Sequence, residues 1–249
     1  MKYLQQLEQL NTIDDLRALP LEHILVIVAH PADIELWCGG TVCRLTDAGK
    51  QVAYLLFDKP IKGAGNATRT PQEIAAMQEA EEFAAARVLG VESVTFLHWP
   101  DSEVDPGVAL HQELVLQIRH HRPDLIITHD PAISYRPHPD HRVLGSAMLD
   151  ALFPSTQGPF SRAGQNQQNQ QERLPFQTVQ EAWLFTIKSP NIWINITTTL
   201  ERKITARLAH TSQHIDAEAL QRYWRDRSVA IGKQAGLEAA EAFKQVDLR

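Results

Sequence analysis

Residues 24–40, with the sequence ILVIVAHPADIELWCGG, run from an unbroken apolar segment into a short polar cluster. The apolar segment is rich in β-branched residues and stops at a His-Pro pair, which is typical of a strand buried on both faces of a sheet. In open α/β sheets, ligands bind beyond the carboxyl ends of such strands. Residues 30–35 therefore lie where a functional site is expected.

Strand and helix patterns alternate along the chain on either side of this stretch. Strands are predicted at 23–30, 51–57, 91–97, 124–128, 181–187 and 192–196. Helices are predicted at 35–48, 71–89, 107–121, 141–152, 198–211 and 216–234, followed by a short tail at 238–243. Such alternation predicts an α/β fold with a Rossmann-like, mostly parallel sheet and helices on both faces, in three α/β/α layers.

The length of 249 residues suits a single domain over residues 1–249. Residues 1–20 alternate Leu with polar residues, which predicts an N-terminal helical extension on the surface or at an oligomer contact. Residues 154–176 are rich in Gln and Asn with Gly and Pro, which is typical of a flexible insertion such as a lid or an interface loop.

Composition argues against several partners. The net charge is −6 and the isoelectric point is about 6.0, which disfavours binding to nucleic acid or to an anionic membrane. The sequence has no apolar run long enough to span a bilayer. The first residues lack an apolar signal core, so we expect a cytoplasmic protein.

Two polar clusters follow neighbouring strands of the predicted sheet. His30 and Asp33 follow the first strand, and His138 and His141 follow the fourth. In the common doubly-wound order 3-2-1-4-5 these strands are adjacent and the order reverses between them, so both loops open into one crevice. Two histidines and a carboxylate form a ligand set for catalytic zinc, with one position left for water. We expect His30, Asp33 and His141 to be the ligands.

Two residues next to the expected ligands are also assigned roles. His138 then stands just outside the metal shell, and Asp140 is expected to orient a ligand imidazole.

The sequence disfavours two other kinds of site. A dinucleotide site needs a Gly-x-Gly-x-x-Gly turn directly after the first strand, but the turn here is His-Pro-Ala-Asp. The sequence also lacks the Gly-x-Ser-x-Gly motif of a serine nucleophile.

Both clusters match motifs of a known family, and the chain resembles the PIG-L/LmbE-like zinc-dependent N-deacetylases. The first family motif, Ala-His-Pro-Asp-Asp-x-Glu followed by Gly-Gly-Thr, matches residues 29–41 at every position but 32. The second, His-Pro-Asp-His, matches residues 138–141 completely. Weaker similarity extends the resemblance from about residue 23 to the C-terminus, with 154–176 unplaced.

The resemblance implies one Zn²⁺ per chain and hydrolysis of an N-acetyl group, typically on a glucosamine unit. It implies a small-molecule N-acetylated substrate, a sugar in most members, and a homo-oligomer, either a trimer or a hexamer. His30, Asp33 and His141 coincide with the family's metal ligands. His138 coincides with the histidine that holds the oxyanion or protonates the leaving amine.

Position 32 departs from the family. The first Asp of the family's Asp-Asp pair is the general base, and this chain has Ala32 there. A methyl group accepts no proton, and general-base catalysis is worth about 10²–10⁴-fold, so we expect the chain as written to be impaired or inactive. An introduced replacement and a natural loss of the base both explain Ala32. The intact remainder of the two motifs favours the first.

Two further positions receive predictions. Gln78 stands where many members carry a substrate-contacting Arg, and Arg69 is near enough in sequence to substitute for it. Glu35 is expected to cap the following helix or to lie behind the metal ligands.

Three classes of function follow from these patterns. The first is a metal-dependent N-deacetylase acting on an N-acetylglucosamine-type or related amide substrate. The second is a catalytically inactive, metal-bound carbohydrate-binding protein, which is favoured if Ala32 is natural. The third is a structural oligomer module in which the histidine cluster is accidental, and near-stoichiometric zinc in the purified chain would exclude it.

Overall fold

The apolar run at residues 24–28 forms an interior strand of a sheet in a computed structural model of the chain. The structure describes residues 9–59, 69–100, 107–132, 138–156, 175–185, 188–213 and 216–248. The strands within these ranges are β1 (Gln9–Leu10), β2 (His23–Val28), β3 (Gln51–Lys59), β4 (Ser93–Pro100), β5 (Leu125–His129), β6 (Glu181–Phe185), β7 (Ile192–Asn195) and β8 (Ala240–Asp247). The helices are α1 (Ile13–Arg17), α2 (Asp33–Trp37), α3 (Gly39–Asp47), α4 (Pro71–Leu89), α5 (Val108–His121), α6 (Pro139–Ser155), α7 (Leu200–Leu208) and α8 (Ala217–Lys233).

The strands form one sheet in the order β1-β7-β8-β6-β5-β2-β3-β4. All neighbouring pairs are parallel except those of β8, which is antiparallel to both β6 and β7. β2 lies between β3 and β5, and β4 lies beyond β3. The strands predicted at 23–30 and 124–128 are β2 and β5, and their predicted adjacency is confirmed. Their carboxyl ends meet at the same edge of the sheet.

Helices cover both faces of the sheet, as predicted. Ile24, Val26 and Val28 of β2 belong to one buried apolar cluster, which includes residues of α3, α4, α7 and α8. Leu25 and Ile27 belong to a second cluster with residues of α5 and α6. Successive side chains of a strand point to opposite faces, so a continuous apolar run is what a strand between two helical layers requires.

The helix predicted at 35–48 is in fact two helices, α2 and α3, which meet at Cys38. Cys38 leaves the helical region with φ of −140°. A Cβ built on Gly40 would lie 2.8 Å from Ile196, so the missing side chain at this position lets α3 pack closely on the segment that follows β7. The break therefore arises from a tertiary contact rather than from a local stop signal.

The predicted tail at 238–243 is wrong, because Ala240–Asp247 forms the strand β8. β8 is inserted between β6 and β7, and even β7, the strand that precedes it in the chain, is separated from it by α7 and α8. Its residue Glu241 is buried and accepts hydrogen bonds from the amides of Gly40 (3.0 Å) and Thr41 (2.7 Å), at the start of α3. Pairing with distant strands, rather than local propensity, decides its conformation.

The structure describes only parts of the two segments predicted to be an N-terminal extension and a flexible insertion. Of the predicted extension at 1–20 it describes residues 9–20, which contain the short strand β1, paired with β7, and the five-residue helix α1. The predicted insertion at 154–176 lies mostly outside the described residues, and α6 continues as far as Ser155. Among the described residues, no helix combines the length and apolar character that crossing a membrane requires.

Gly145 fixes the distance between α6 and the end of β5. A Cβ at this position would lie 2.5 Å from the carbonyl oxygen of His129, which is backbone and has little freedom to move. We expect Gly145→Ala to lower the free energy of unfolding by about 1–3 kcal/mol, as overpacking does elsewhere. Urea denaturation measures the change. Ser146→Ala, at the exposed neighbouring position, should stay within about 0.5 kcal/mol of the parent. Equal stabilities of the two variants would contradict this account.

Candidate metal centre

The two polar clusters come together because β2 and β5 are neighbours. His30 follows β2 directly, and Asp33 begins α2. His138 is the N-cap residue of α6, and His141 lies in its first turn. Both segments leave the same edge of the parallel sheet, where the chain must turn away from the strand direction.

Three side chains present one ligand atom each at close range. His30 Nδ1 lies 3.0 Å from His141 Nε2 and 3.3 Å from Asp33 Oδ2, and His141 Nε2 lies 3.1 Å from Asp33 Oδ2. Zinc bonds of 2.0–2.1 Å in a tetrahedron place ligand atoms roughly 3.3 Å apart. The donor set and its spacing therefore fit a divalent zinc ion with an open fourth position.

The charge state of Asp33 suits a metal ligand. Burial by itself would raise the pKa of Asp33, but the charge on His141 and hydrogen bonds from His141 and His30 hold that pKa well below its ordinary value. The side chain is only 7% exposed. Asp33 also accepts the backbone N–H of His30 at 3.0 Å, which closes the turn between the first two ligands. An ionised carboxylate is thus held in place at this turn.

His138 and Asp140 lie beside these three residues. The His138 ring centroid is 4.1 Å from that of His30, and its side chain is 37% exposed, more than those of His30 and His141. Asp140 is buried, with Oδ2 3.6 Å from His30 Nε2 and 3.8 Å from His138 Nδ1. Asp140 therefore faces the ring nitrogen of His30 that points away from the three-residue cluster. His138 stands at its more accessible side.

Ala32 has an unusual backbone conformation. Its φ is 75° and its ψ is −9°, in the left-handed region that residues with a Cβ rarely adopt. Its amide donates a hydrogen bond of 3.0 Å to Glu82 Oε2 of α4. Asn and Asp tolerate the left-handed region better than Ala does, so the backbone at position 32 suits the family's Asp.

His129 was not among the predicted site residues. It is the last residue of β5 and is 4% exposed, and its ring stacks on that of His141 with centroids 4.0 Å apart. Burial, together with the charge on His141, lowers the pKa of His129 to about 4, so the ring is neutral at pH 7. Its Nε2 accepts the Ala29 amide at 3.2 Å. The sequence feature that could have identified His129 as a site residue is its position at the carboxyl end of a central strand.

A second buried cluster lies next to the first and was also not predicted. Glu35, Glu82 and His210 are each 0% exposed. His210 Nε2 lies 3.3 Å from Glu35 Oε2 and 3.6 Å from Glu82 Oε2. Burial, reinforced by the charge on Glu35, raises the pKa of Glu82 well above its ordinary value. Glu35, which was expected to cap the following helix or to lie behind the ligands, thus faces His210 in this buried cluster.

Arg69 lies at the surface, one residue before the N-cap of α4. Its guanidinium contacts the sulfur of Met77 on the same helix. Gln78, at the position compared with Arg69 above, is 2% exposed. Among the described residues, Arg69 is not in contact with the histidine cluster, so its role in substrate binding stays a prediction.

Comparison with known proteins agrees with both motifs. The family model described as PIG-L, GlcNAc-PI de-N-acetylase, matches residues 25–152, which include all of the predicted ligands. The diacetylchitobiose deacetylase of Thermococcus kodakarensis is 29% identical over 228 residues, covering 91% of this chain and 84% of that protein.

Solved structures share the fold over nearly the whole chain. The N,N'-diacetylchitobiose deacetylase of Pyrococcus horikoshii has a TM-score of 0.82 and 27% identity, covering 92% of this chain and 85% of its own. The 4-carboxy-2-hydroxymuconate hydratase of Pseudomonas putida has a TM-score of 0.73 and 19% identity, covering 91% and 96%. The second comparison shows the fold alone. A reaction must therefore be argued from the side chains of the site.

Proposed function

Since the chain belongs to the PIG-L family of GlcNAc-PI de-N-acetylases, we propose that its site is that of a zinc-dependent hydrolase removing the N-acetyl group from an N-acetylglucosamine-type sugar. The observation that carries the proposal is the convergence of His30, Asp33 and His141 to within 3.0–3.3 Å of one another. The names of the relatives, which are sugar deacetylases, support the substrate class.

His30, Asp33 and His141 would hold the ion. When bound, Zn²⁺ would polarise the acetyl carbonyl and lower the pKa of a bound water toward about 7. Asp140 would orient the His30 ring from behind, through the nitrogen 3.6 Å from its carboxylate. His129 would support the ring of His141 by stacking on it. Because His129 is neutral, it would add no charge to the site.

His138 would act on the substrate rather than on the metal. Its half-exposed ring lies beside His30, with Nδ1 3.8 Å from Asp140 Oδ2. A protonated ring can donate a hydrogen bond to the oxyanion that develops on the acetyl carbonyl. The leaving amine needs a proton as the C–N bond breaks, and the general base at position 32 would return the one it took from water. Ala32 cannot do either step.

We expect His138→Ala, made in the Ala32→Asp background, to lower kcat by about 10²–10³-fold, the usual effect of losing one oxyanion donor. Zinc content should be unchanged, because His138 is outside the ligand set. Acetate release and metal analysis on the same sample measure both. His120→Ala, at an exposed position of α5, is the matched control. Loss of zinc in the His138 variant would mean that the ligands are wrongly assigned.

The function itself is tested with the full chain loaded with zinc. Acetate release is followed at high protein concentration with N-acetylglucosamine and diacetylchitobiose, with and without a chelator. We expect slow, chelator-sensitive release that Asp at position 32 accelerates. Absence of zinc binding, or no release by either form with any acetamido sugar, would contradict the proposal.

A second function is favoured by one observation, the methyl group of Ala32 at the general-base position. A chain that keeps its metal and sugar contacts but lacks the base would act as a carbohydrate-binding protein. Calorimetric titration with N-acetylglucosamine and with glucosamine distinguishes the two uses. Zinc-dependent binding that prefers the acetylated sugar, without acetate release even from the Asp form, would establish the binding function.

The proposal also includes assembly, location and a substrate contact. We propose a cytoplasmic homo-oligomer, either a trimer or a hexamer, in which Arg69 contacts the sugar. Light scattering after size-exclusion chromatography measures the oligomeric state. A larger KM in Arg69→Ala with an unchanged kcat would support the proposed contact.

A further inference from the structure

Three separate parts of the chain meet behind the turn at residues 30–33. α4 contributes Glu82, α2 contributes Glu35, and the segment that follows α7 contributes His210. All three side chains are fully buried, and a single atom, His210 Nε2, lies 3.3 Å from Glu35 and 3.6 Å from Glu82. Buried carboxylates are costly without a partner, so this arrangement needs a purpose or a compensation.

The buried cluster of Glu35, Glu82 and His210 contacts the turn at residue 32, the proposed position of the general base. Glu82 Oε2 accepts the amide of Ala32 at 3.0 Å. Gln213, three residues after His210, donates its side-chain amide to the carbonyl of Pro31 at 3.4 Å. Both atoms belong to the single peptide group that joins residues 31 and 32, which is thus held from α4 on its N–H side and from the segment after α7 on its carbonyl side.

Residue 32 needs such support because of its backbone. A left-handed φ of 75° is energetically unfavourable at a residue with a Cβ, because the Cβ crowds the neighbouring carbonyl oxygen. Such strain persists only where the surroundings impose it, and it occurs most often at functional sites. The side chain at position 32 is aimed by this conformation, since rotating φ to the ordinary negative region would redirect its Cβ.

We infer that Glu82 is a positioning residue, which holds residue 32 in the left-handed conformation through its amide and thereby aims the general base, with His210 holding Glu82 in turn. The inference rests on the proposed function for its catalytic consequence. Its structural part concerns only the amide of residue 32. Neither Glu82 nor His210 touches the reacting atoms in this account.

Two variants of similar volume separate positioning from packing. Glu82→Gln keeps an acceptor oxygen at the same reach, whereas Glu82→Met fills the same space without an acceptor and suits a buried helix position. In the chain as it stands, without metal, Glu82→Met should speed hydrogen exchange at the Ala32 amide about tenfold, as expected for loss of one buried hydrogen bond. Glu82→Gln should stay within about threefold of the parent.

The catalytic consequence is measured in the Ala32→Asp background. Glu82→Met should lower kcat about 10²-fold with KM unchanged, because a small misplacement of a catalytic group costs that much. Glu82→Gln should recover most of the rate. His210→Ala should lower kcat in the same direction, and the double variant with Glu82→Met should be no worse than Glu82→Met alone. Glu79→Ala, at a half-buried position of α4 where the side chain faces His98 rather than the turn, is the matched control and should leave the rate unchanged.

The outcomes distinguish this inference from the proposed function. If the Asp form deacetylates and Glu82→Met changes neither kcat nor the exchange at residue 32, the positioning role is overturned. An equal loss in the Gln and Met variants would also overturn it, because it would indicate a need for the carboxylate charge. If the Asp form is inactive but exchange at residue 32 responds as expected, the proposed function fails while the structural role stands.

Discussion

Replacing Ala32 with Asp is expected to raise the rate of acetate release by about 10²–10⁴-fold, which is the usual value of a general base. The position follows the first proposed ligand by two residues and precedes the second by one. A carboxylate there can take a proton from the attacking water and return it to the leaving amine. The present methyl group can do neither, although the surrounding motifs are intact.

The backbone of the chain is already suited to this substitution. Residue 32 has a φ of 75°, a conformation in which Asp and Asn are tolerated better than Ala. Its amide is held by Glu82, so the new carboxylate should take the direction that the turn imposes. We therefore expect the gain to appear in kcat, with little change in zinc content or in the free energy of unfolding.

Ala32→Asn is the matched control for this prediction. It has the size and the backbone preference of Asp but no basic carboxylate, so it should remain close to the Ala form. Acetate release from N-acetylglucosamine and diacetylchitobiose at saturating zinc gives the rates. Equal rates for the Asp and Asn forms would show that position 32 does not supply the base in this chain.

Replacing Asp33 with Asn is expected to remove zinc almost entirely and, with it, any deacetylation. The Asn side chain keeps an oxygen that can accept the His30 amide, the bond that measures 3.0 Å in the parent, so the turn should persist. It loses the negative charge of the one anionic donor in the proposed ligand set, and a neutral amide oxygen is a much weaker zinc ligand than a carboxylate. Zinc affinity should fall by more than the roughly 100-fold that loss of an outer-shell partner costs.

Asp140→Asn calibrates this effect. Asp140 lies 3.6 Å from the far ring nitrogen of His30 and belongs to the outer shell in the proposed site. Its loss should lower zinc affinity by about 10–100-fold. Competition with a chromophoric chelator measures both affinities, and thermal unfolding of the metal-free proteins checks that each variant folds. A smaller loss for Asp33→Asn than for Asp140→Asn would reverse the assignment of ligand and supporting residue.

The central sheet was predictable because its signals are local. The apolar run of β2 has no polar interruption, and it lies between two helical layers as such a run requires. α4 was predicted with its observed ends, since Thr70 caps it, Pro71 begins it and Gly90 ends it in the left-handed conformation. β8 was missed, because its partners among the described residues, β6 and β7, are separated from it in the chain by α7 and α8.

The residues of the candidate site also divide into those that local sequence signals predicted and those that they did not. His30, Asp33 and His141 are found from short motifs at the ends of two strands whose adjacency follows from the fold class, and the structure brings their side chains within 3.3 Å of one another. Glu82 and His210 gave no such signal. One lies within a long helix and the other after a helix near the C-terminus.

The sequence by itself determined the layered α/β fold, the order of its first strands and the residues that gather at their carboxyl ends, because each depends on periodicity, turn chemistry or motif spacing within a short segment. Only the tertiary structure decided the left-handed turn at Ala32, the buried contacts of Glu82 and His210, and the cap that Glu241 of β8 provides for α3. These features depend on which buried polar groups find partners across the fold, and hydrogen bonds between segments 50 to 201 residues apart leave no periodic trace in the chain.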